Sequence, residues 1–373
     1  MSRVKNISSI SFAILFAMLL IPALLTLFDW PKTESLSGSF EPVDRIPLTT
    51  ESWFSGDFQS NWESWYNDTL QTHAPMVRVK NQFLYSVFEE TTTYVLIGKN
   101  NQLFAYNYFP AFRGFNRKSN AHWRQVGKDL AWLKDTLAAH DIPLLFVIAP
   151  NKVRYMPENL PDQFVKTPGD SSDQYNAVAM LDANDIPYLD LNSYFLSLKE
   201  TTKYPLFPNT GTHWSEYGAL IAGDTLIGSL GRLLDTSLTQ LEFSSDEVTD
   251  YSMNGDDELA QHLNLWEAPK TEPLPFPKVI FHNESVWKPN VVLVSDSYYW
   301  GLNNSGVLPN SVSENHTLWY YNNTNFDDEY GEKNLDEINR WEELLERDAV
   351  IILGTESNLF LMPYGLIEDL KAQ

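Results

Sequence analysis

Residues 290–297 read Asn290-Val-Val-Leu-Val-Ser-Asp-Ser297. Apolar, mostly β-branched residues closed by small polar ones suit a strand buried on both faces, as inside a parallel sheet. A serine just past such a strand stands at a strand-to-helix turn. Its hydroxyl is exposed there and backbone N–H groups surround it. Three more segments repeat the pattern: Pro143-Leu-Leu-Phe-Val-Ile-Ala149, Ile186-Pro-Tyr-Leu-Asp-Leu191 and Ala349-Val-Ile-Ile-Leu-Gly354. Helical patterns separate them, over 120–139 with Leu130, Leu133 and Leu137 on one face, near 172–184, over 215–234, and, charged, over 334–347. Short apolar strands alternating with helices predict an α/β domain with a mainly parallel sheet and helices on both faces. Ligands bind such sheets at the carboxyl ends of the strands. Attention therefore falls on Pro150-Asn-Lys152, Asp190, Ser295-Asp-Ser297 and Gly354-Thr-Glu356.

Outward from this domain, Tyr94-Val-Leu-Ile-Gly98 and Gln102-Leu-Phe-Ala105 bracket a Lys99-Asn-Asn101 turn and read as a hairpin. Between 54 and 88, Phe58, Trp62, Trp65, Tyr66 and Leu70 recur at helical spacing, the pattern of a helix packing one face. Residues 29–50 are rich in Pro, Ser and Thr and read as a linker. Residues 10–28 carry no charge, and at 1.5 Å per residue they extend about 28 Å, close to the bilayer core. Arg3 and Lys5 precede them and Asp29 follows, which predicts a cytoplasmic tail over 1–9 and an outside ectodomain, periplasmic or extracellular. A cleaved signal peptide is the rival reading, but no small-x-small site follows the run. The expected organisation is tail 1–9, transmembrane anchor 10–28, linker 29–50, helical extension 51–93 and α/β domain 94–373.

The 373 residues carry a formal charge of −23, which argues against nucleic-acid binding because phosphates would be repelled. Cysteine is absent, which removes thiolate nucleophiles, disulfides and Cys-based zinc sites. No motif calls for a metal or an organic cofactor.

A second stretch bears on chemistry: Thr210-Gly-Thr-His213-Trp-Ser-Glu-Tyr-Gly218. It places a histidine just before a helix, where it can act as a general base. The other six histidines sit in no comparable context, and His282 and His316 read as loop residues. The acidic pairs Asp256-Asp257 and Asp327-Asp328 read as solvated loops. Residues 104–123 mix aromatics with Arg113, Arg117 and Lys118 and could either cover the core or hold a sugar acid. Trp319-Tyr-Tyr321 could line the same cleft as Ser297.

The order of these segments carries a resemblance. The anchor comes first, then Gly98-Lys-Asn-Asn-Gln-Leu-Phe104 and Pro150-Asn-Lys-Val-Arg-Tyr-Met-Pro-Glu-Asn-Leu-Pro161. Thr212-His-Trp, Val294-Ser-Asp-Ser297 and a last strand ending Gly354-Thr-Glu356 follow. Over roughly 50–365 the chain resembles the SGNH hydrolase-like (flavodoxin-like) domain of the alginate O-acetyltransferase family, AlgJ/AlgX type. That resemblance implies a permuted SGNH fold that transfers acetyl groups to extracellular polysaccharide beside a multi-span membrane acyltransferase, which supplies the acyl donor. Residue by residue, it implies Ser297 as nucleophile and His213 as base. The family's Gly-Asp-Ser reads Ser295-Asp296-Ser297 here, and its acid two residues before the histidine is replaced by Gly211.

The expected function is a Ser-His O-acetyltransferase or acetylesterase. The alternative is a catalytically degenerate carbohydrate-binding or scaffolding subunit, suggested by the missing acid. Asp190, Glu216 and Glu356 are the carboxylates that could orient His213 instead. Asn151, Lys152, Arg113, Arg117, Trp214 and Tyr298 are the expected oxyanion and substrate contacts. Ser297 Oγ and a ring nitrogen of His213 are expected within hydrogen-bond reach. Gly211→Asp is expected to raise activity if the wild type lacks an orienting carboxylate, and to lower it if another one already serves.

Overall fold

The computed structural model describes residues 2–373 except 29, 31, 33, 39–42, 165–172, 245–247, 250–254, 284–285 and 328–330. The described residues form two compact units, residues 1–95 with 260–268, and residues 96–259 with 269–373.

In the first unit the helix Ser2–Leu27 contains a 19-residue stretch, Ser9–Leu27, of mean hydropathy 2.6 with none of it buried. By length and composition it can cross a membrane. Asp29, the expected outer flank, lies outside the described residues. The aromatic stretch is divided among the helices Thr50–Ser55, Asp57–Thr69 and His73–Phe88. Gly56, at φ 87°, sits in the left-handed region that ends the first helix and turns into the second. No residue of Asp57–Thr69 is buried. Its rings pack on one another instead, Phe58 on Trp62 at 5.9 Å and Trp62 against Trp65 at 5.3 Å, with the Arg45 guanidinium 3.4 Å over Trp65. The segment 260–268 belongs to this unit through side chain–backbone bonds. Asn81 Nδ2 donates to Leu263 O at 3.0 Å, and the Glu267 N–H donates to Gln82 Oε1 at 2.9 Å.

The second unit is built on a seven-stranded sheet. Its strands are β1 (Leu144–Ala149), β2 (Tyr188–Asp190), β3 (Val291–Ser295), β4 (Thr317–Tyr320), β5 (Thr324–Asp327), β6 (Gly331–Asn334) and β7 (Ala349–Thr355). The spatial order is β6-β5-β4-β3-β7-β1-β2. The five strands from β4 to β2 are parallel, and β5 and β6 add an antiparallel edge. Alternate residues of a strand point to opposite faces, and both sets are buried here. Phe146, Ile148, Val292, Val294, Val350 and Ile352 face one core with Leu130, Leu133 and Leu137 of the helix Asn120–Ala138. Leu145, Val147, Leu293, Ile351 and Leu353 are equally buried on the other side. Each such aliphatic side chain contributes roughly 1.5–3 kcal/mol.

Two expectations are corrected at the sheet's edge. The charged segment 334–347 is helical only over Arg340–Leu345, because Gly331–Asn334 is recruited as β6 and Leu335–Glu337 is a 3₁₀ turn. Trp319 does not line a cleft: it lies on β4, 0% exposed, in the same core cluster as Leu130. β4, β5 and β6 escape a periodicity reading because they are four residues each, too short for an alternation to show, and β5 and β6 carry turn-prone Asn, Asp and Gly.

Candidate active site

The carboxyl ends of the parallel strands converge on Ser297. Strand β3 is hydrogen-bonded on both sides, to β4 and β7, and this fixes where its chain ends. Asp296, fully buried, then anchors the turn. Its Oδ2 accepts from Thr355 N–H at 2.8 Å and from Asn358 Nδ2 at 2.9 Å, and its Oδ1 accepts from Tyr298 N–H at 3.1 Å. Burial pushes the Asp296 carboxyl above its usual range, against the pull of these donors. Ser297 stands at the N-cap of the helix Tyr298–Asn304.

His213 approaches from the loop that precedes the helix Glu216–Leu233, whose N-cap is Ser215. Its Nε2 lies 2.8 Å from Ser297 Oγ and its Nδ1 lies 2.9 Å from Glu258 Oε1. The same Oε1 accepts from the Thr212 N–H at 2.7 Å and the His213 N–H at 3.2 Å. Glu258 Oε2 is buried without a hydrogen-bond partner among the described residues. Desolvation disfavours a charged His213, but the hydrogen bond and charge of Glu258, helped by Asp296, outweigh it, so the imidazole pKa is raised. Desolvation likewise opposes a charged Glu258, yet His213 and the backbone donors hold that carboxyl below its usual range. An ionised Glu258 only accepts, so Nδ1 carries the proton and Nε2 is free to accept from the Ser297 hydroxyl. Ser297, His213 and Glu258 thus form one hydrogen-bonded line in the order serine, histidine, acid, the arrangement that activation of a serine hydroxyl requires.

Glu258 is the residue that sequence reading missed. It opens the short helix Glu258–His262, 45 residues after His213 and 39 before Ser297. Its segment, Gly255-Asp-Asp-Glu258, looks like a solvated acidic loop, but Asp256 is only 4% exposed. The carboxylates considered beforehand are engaged elsewhere. Asp190 caps the helix Leu191–Leu198, accepting from Ser193 N–H at 2.9 Å. Glu216 lies in the first turn of its helix. Glu356 pairs with Arg154 and accepts from Asn151 Nδ2 at 2.8 Å.

Gly211 explains the exchange. A Cβ there would stand 2.6 Å from Glu258 Oε2, 2.7 Å from Asp256 O and 2.8 Å from Pro208 Cγ. Position 211 therefore faces the carboxylate that bonds His213 Nδ1, and Gly leaves the room that Glu258 occupies.

A cleft of about 230 Å³ opens beside the serine, lined by His213, Trp214, Glu258, Ser297, Trp300 and Asn304 among others. Trp214 is 4% exposed and packs edge-on against Tyr298 at 4.8 Å. A Cβ at Gly301 would fall 2.0 Å from Trp214 Nε1, so only glycine admits the indole here.

The other expected contacts turn away. Asn151 is fully buried and caps the helix Lys152–Tyr155, its Oδ1 accepting from Val153 N–H at 2.9 Å. Lys152 is 1% exposed and points into backbone carbonyls. Tyr298 Oη donates to Thr212 O at 3.2 Å, bracing the histidine loop. Arg113 Nη1 donates to Phe164 O at 3.4 Å, and Arg117 is exposed on the surface. Phe104, Tyr108, Phe109 and Phe112 of the basic aromatic stretch are core residues. His316 lies in a loop, as expected, and is buried there with Nε2 3.0 Å from Tyr299 Oη.

No curated protein matches the chain. Among solved structures it is similar to the O-acetyltransferase domain of Pseudomonas putida AlgJ, at 21% identity and TM-score 0.48 over 75% of this chain and 99% of that one. Pseudomonas aeruginosa AlgX is similar at 13% identity and TM-score 0.45, over 74% and 67%. Bacillus cereus PatB1 with a sulfonyl adduct follows at 10% identity and TM-score 0.44, over 71% and 95%. The family model described as "SGNH hydrolase-like domain, acetyltransferase AlgX" matches residues 95–298, which span both His213 and Ser297. With more than half of its length matched, the chain belongs to this family of SGNH hydrolase-like acetyltransferase domains.

Proposed function

We propose that the protein is a membrane-anchored, extracytoplasmic O-acetyltransferase that passes an acetyl group through Ser297 to a polysaccharide hydroxyl. The observation that carries this reading is the unbroken hydrogen-bonded line Ser297 Oγ–His213–Glu258 Oε1. Ser297 Oγ attacks the carbonyl carbon of the acyl donor while His213 Nε2 takes the hydroxyl proton. The tetrahedral oxyanion accepts from the Ser297 backbone N–H. Nε2 then returns its proton to the leaving group, and an acetyl ester remains on Ser297. A sugar hydroxyl gives its proton to Nε2 and attacks that ester. Collapse reprotonates Ser297 Oγ and frees the acetylated sugar. Glu258 holds the ring and stabilises the imidazolium in both halves. Trp300, 37% exposed in the cleft lining, offers an aromatic face for the sugar ring.

The apolar helix over Ser9–Leu27 supports the anchor, with Arg3 and Lys5 on the cytoplasmic side. The acyl donor is handed over by a multi-span membrane acyltransferase, on the family resemblance. The alternative of a degenerate binding subunit rested on the missing acid at 211, and Glu258 on Nδ1 removes its motive. The test is hydrolysis of a chromogenic acetyl ester by the full-length protein in detergent, wild type against Ser297→Ala. Activity that vanishes in the variant, with an acetyl adduct on Ser297 by mass spectrometry, is expected. Equal turnover by both proteins, or none by either, overturns the reading.

A further inference from the structure

Lys152 lies three residues past the carboxyl end of β1, near where the sheet rule places ligand contacts, yet its side chain is buried among backbone carbonyls. Its Nζ is surrounded by four backbone carbonyls: Leu103 O at 2.8 Å, Pro208 O at 2.6 Å, Asn209 O at 3.2 Å and Gly211 O at 2.7 Å. The Phe104 ring lies 5.2 Å away as a further cation acceptor. No hydrogen-bonded carboxylate neutralises it among the described residues. An ammonium has three donors and no acceptor, which suits a shell of carbonyl oxygens. A neutral amine would turn a lone pair toward one of them. Three of the four carbonyls belong to residues 208–211, the segment that leads into Thr212 and His213.

We propose that the Lys152 ammonium is the positioning residue of the catalytic histidine, clamping the 208–211 loop so that His213 meets Glu258 and Ser297 together. The inference rests on the acyl-transfer reading of Ser297 and deepens it. Without the clamp, Pro208, Asn209 and Gly211 present converging carbonyl dipoles that repel one another, and the loop has no other charged group within it. The Thr210 hydroxyl and the Leu259 N–H tie the loop to the Glu258 segment, through Asp256 O at 3.1 Å and Thr210 O at 3.1 Å. Lys152 ties the same loop to β1, so the clamp joins the acid–base segment to the sheet that carries Ser297. The charged groups facing the amine are Glu258 and Glu272, and His213 lies two residues beyond the Gly211 carbonyl. Burial pushes the Lys152 amine down to about 7, against the pull of the two carboxylates.

The experiment follows Ser297 with phenylmethanesulfonyl fluoride, whose reaction reports how well His213 activates the serine. Full-length wild type and Lys152→Met are compared as functions of pH, with circular dichroism confirming the fold. The expected result is a loss in labelling rate of about 10²-fold and a fall in the midpoint of the ascending limb, as His213 drifts from Glu258. A folded Lys152→Met protein with unchanged rate and midpoint, even if less heat-stable, overturns the clamp. If Lys152→Met does not fold, the wild type alone decides. The Lys152 amine is titrated by ¹³Cε chemical shift, and the descending limb of the labelling profile must coincide with that titration. A labelling rate that, once corrected for the fraction of neutral His213, does not fall while Lys152 loses its proton overturns the clamp. Wild-type Ser297 that is never labelled overturns the acyl-transfer reading and the clamp with it, whereas labelling indifferent to Lys152 overturns the clamp alone.

Discussion

The two halves of the Ser297–His213–Glu258 line are held in different ways. Ser297 hangs from β3, whose ladder runs unbroken into β4 and β7, and Asp296 locks the turn to Thr355 and Asn358. His213 and Glu258 sit on loops. Their geometry depends on side chain–backbone bonds, namely Glu258 Oε1 to two N–H groups, Lys152 to four carbonyls and Tyr298 Oη to Thr212 O. A ladder shares its load over many equivalent bonds, while a loop site depends on fewer bonds of unequal weight. Substitutions in the loop half should therefore act on catalysis well before they unfold the domain.

The largest effect is expected at the acid. Glu258→Gln keeps the shape but removes the charge on Nδ1, and turnover should fall by about 10⁴, the scale of an Asn-for-Asp exchange in a serine protease triad. The pH profile sharpens this. His213 must be neutral to accept the Ser297 proton, and its pKa is raised. The ascending limb of the wild-type acylation rate should therefore have its midpoint above the usual histidine value of about 6.5. In Glu258→Gln the main raising influence is gone, so the midpoint should move down. A midpoint that stays put would separate Glu258 from the base.

Gly211→Asp comes next. Its Cβ would enter a space 2.6 Å from Glu258 Oε2 and 2.7 Å from Asp256 O. The added carboxylate also repels Glu258, so ester hydrolysis should drop. The crowding should lower stability by about 1–3 kcal/mol, read as a lower thermal midpoint. Activity above wild type would show that position 211 does not face Glu258.

Gly301→Ala should be smaller for chemistry and comparable for stability. A Cβ 2.0 Å from Trp214 Nε1 forces the indole to shift, at roughly 1–3 kcal/mol, and reshapes the cleft without touching the line of three. KM for a bulky ester should change more than kcat for a small one. The mildest variant is Tyr298→Phe, which removes one hydrogen bond to Thr212 O, worth about 0.5–1.5 kcal/mol. A severe catalytic loss in Tyr298→Phe would mean that the histidine loop is braced there rather than at Lys152.

The features legible in the sequence are local and periodic. Short apolar runs specify β1, β2, β3 and β7. Ser297 follows at a strand end, His213 precedes a helix whose N-cap is Ser215, and residues 10–28 have the length and composition to span a bilayer. Each of these depends on residues within a few positions of one another, so pattern and propensity reach them. Only the tertiary structure decided which carboxylate meets the histidine, because Glu258 and His213 are 45 residues apart and no periodicity links them. It also decided that Asn151 and Lys152 turn inward. A strand-end residue can face the cleft or the interior equally well, and the carbonyls that capture Lys152 come from loops around residues 103 and 208–211. The edge strands β4 to β6 were a tertiary decision as well. β5 and β6 carry turn-prone Asn, Asp and Gly, and it is pairing outward from β3, through β4 to β5 and then β6, that satisfies their backbone groups.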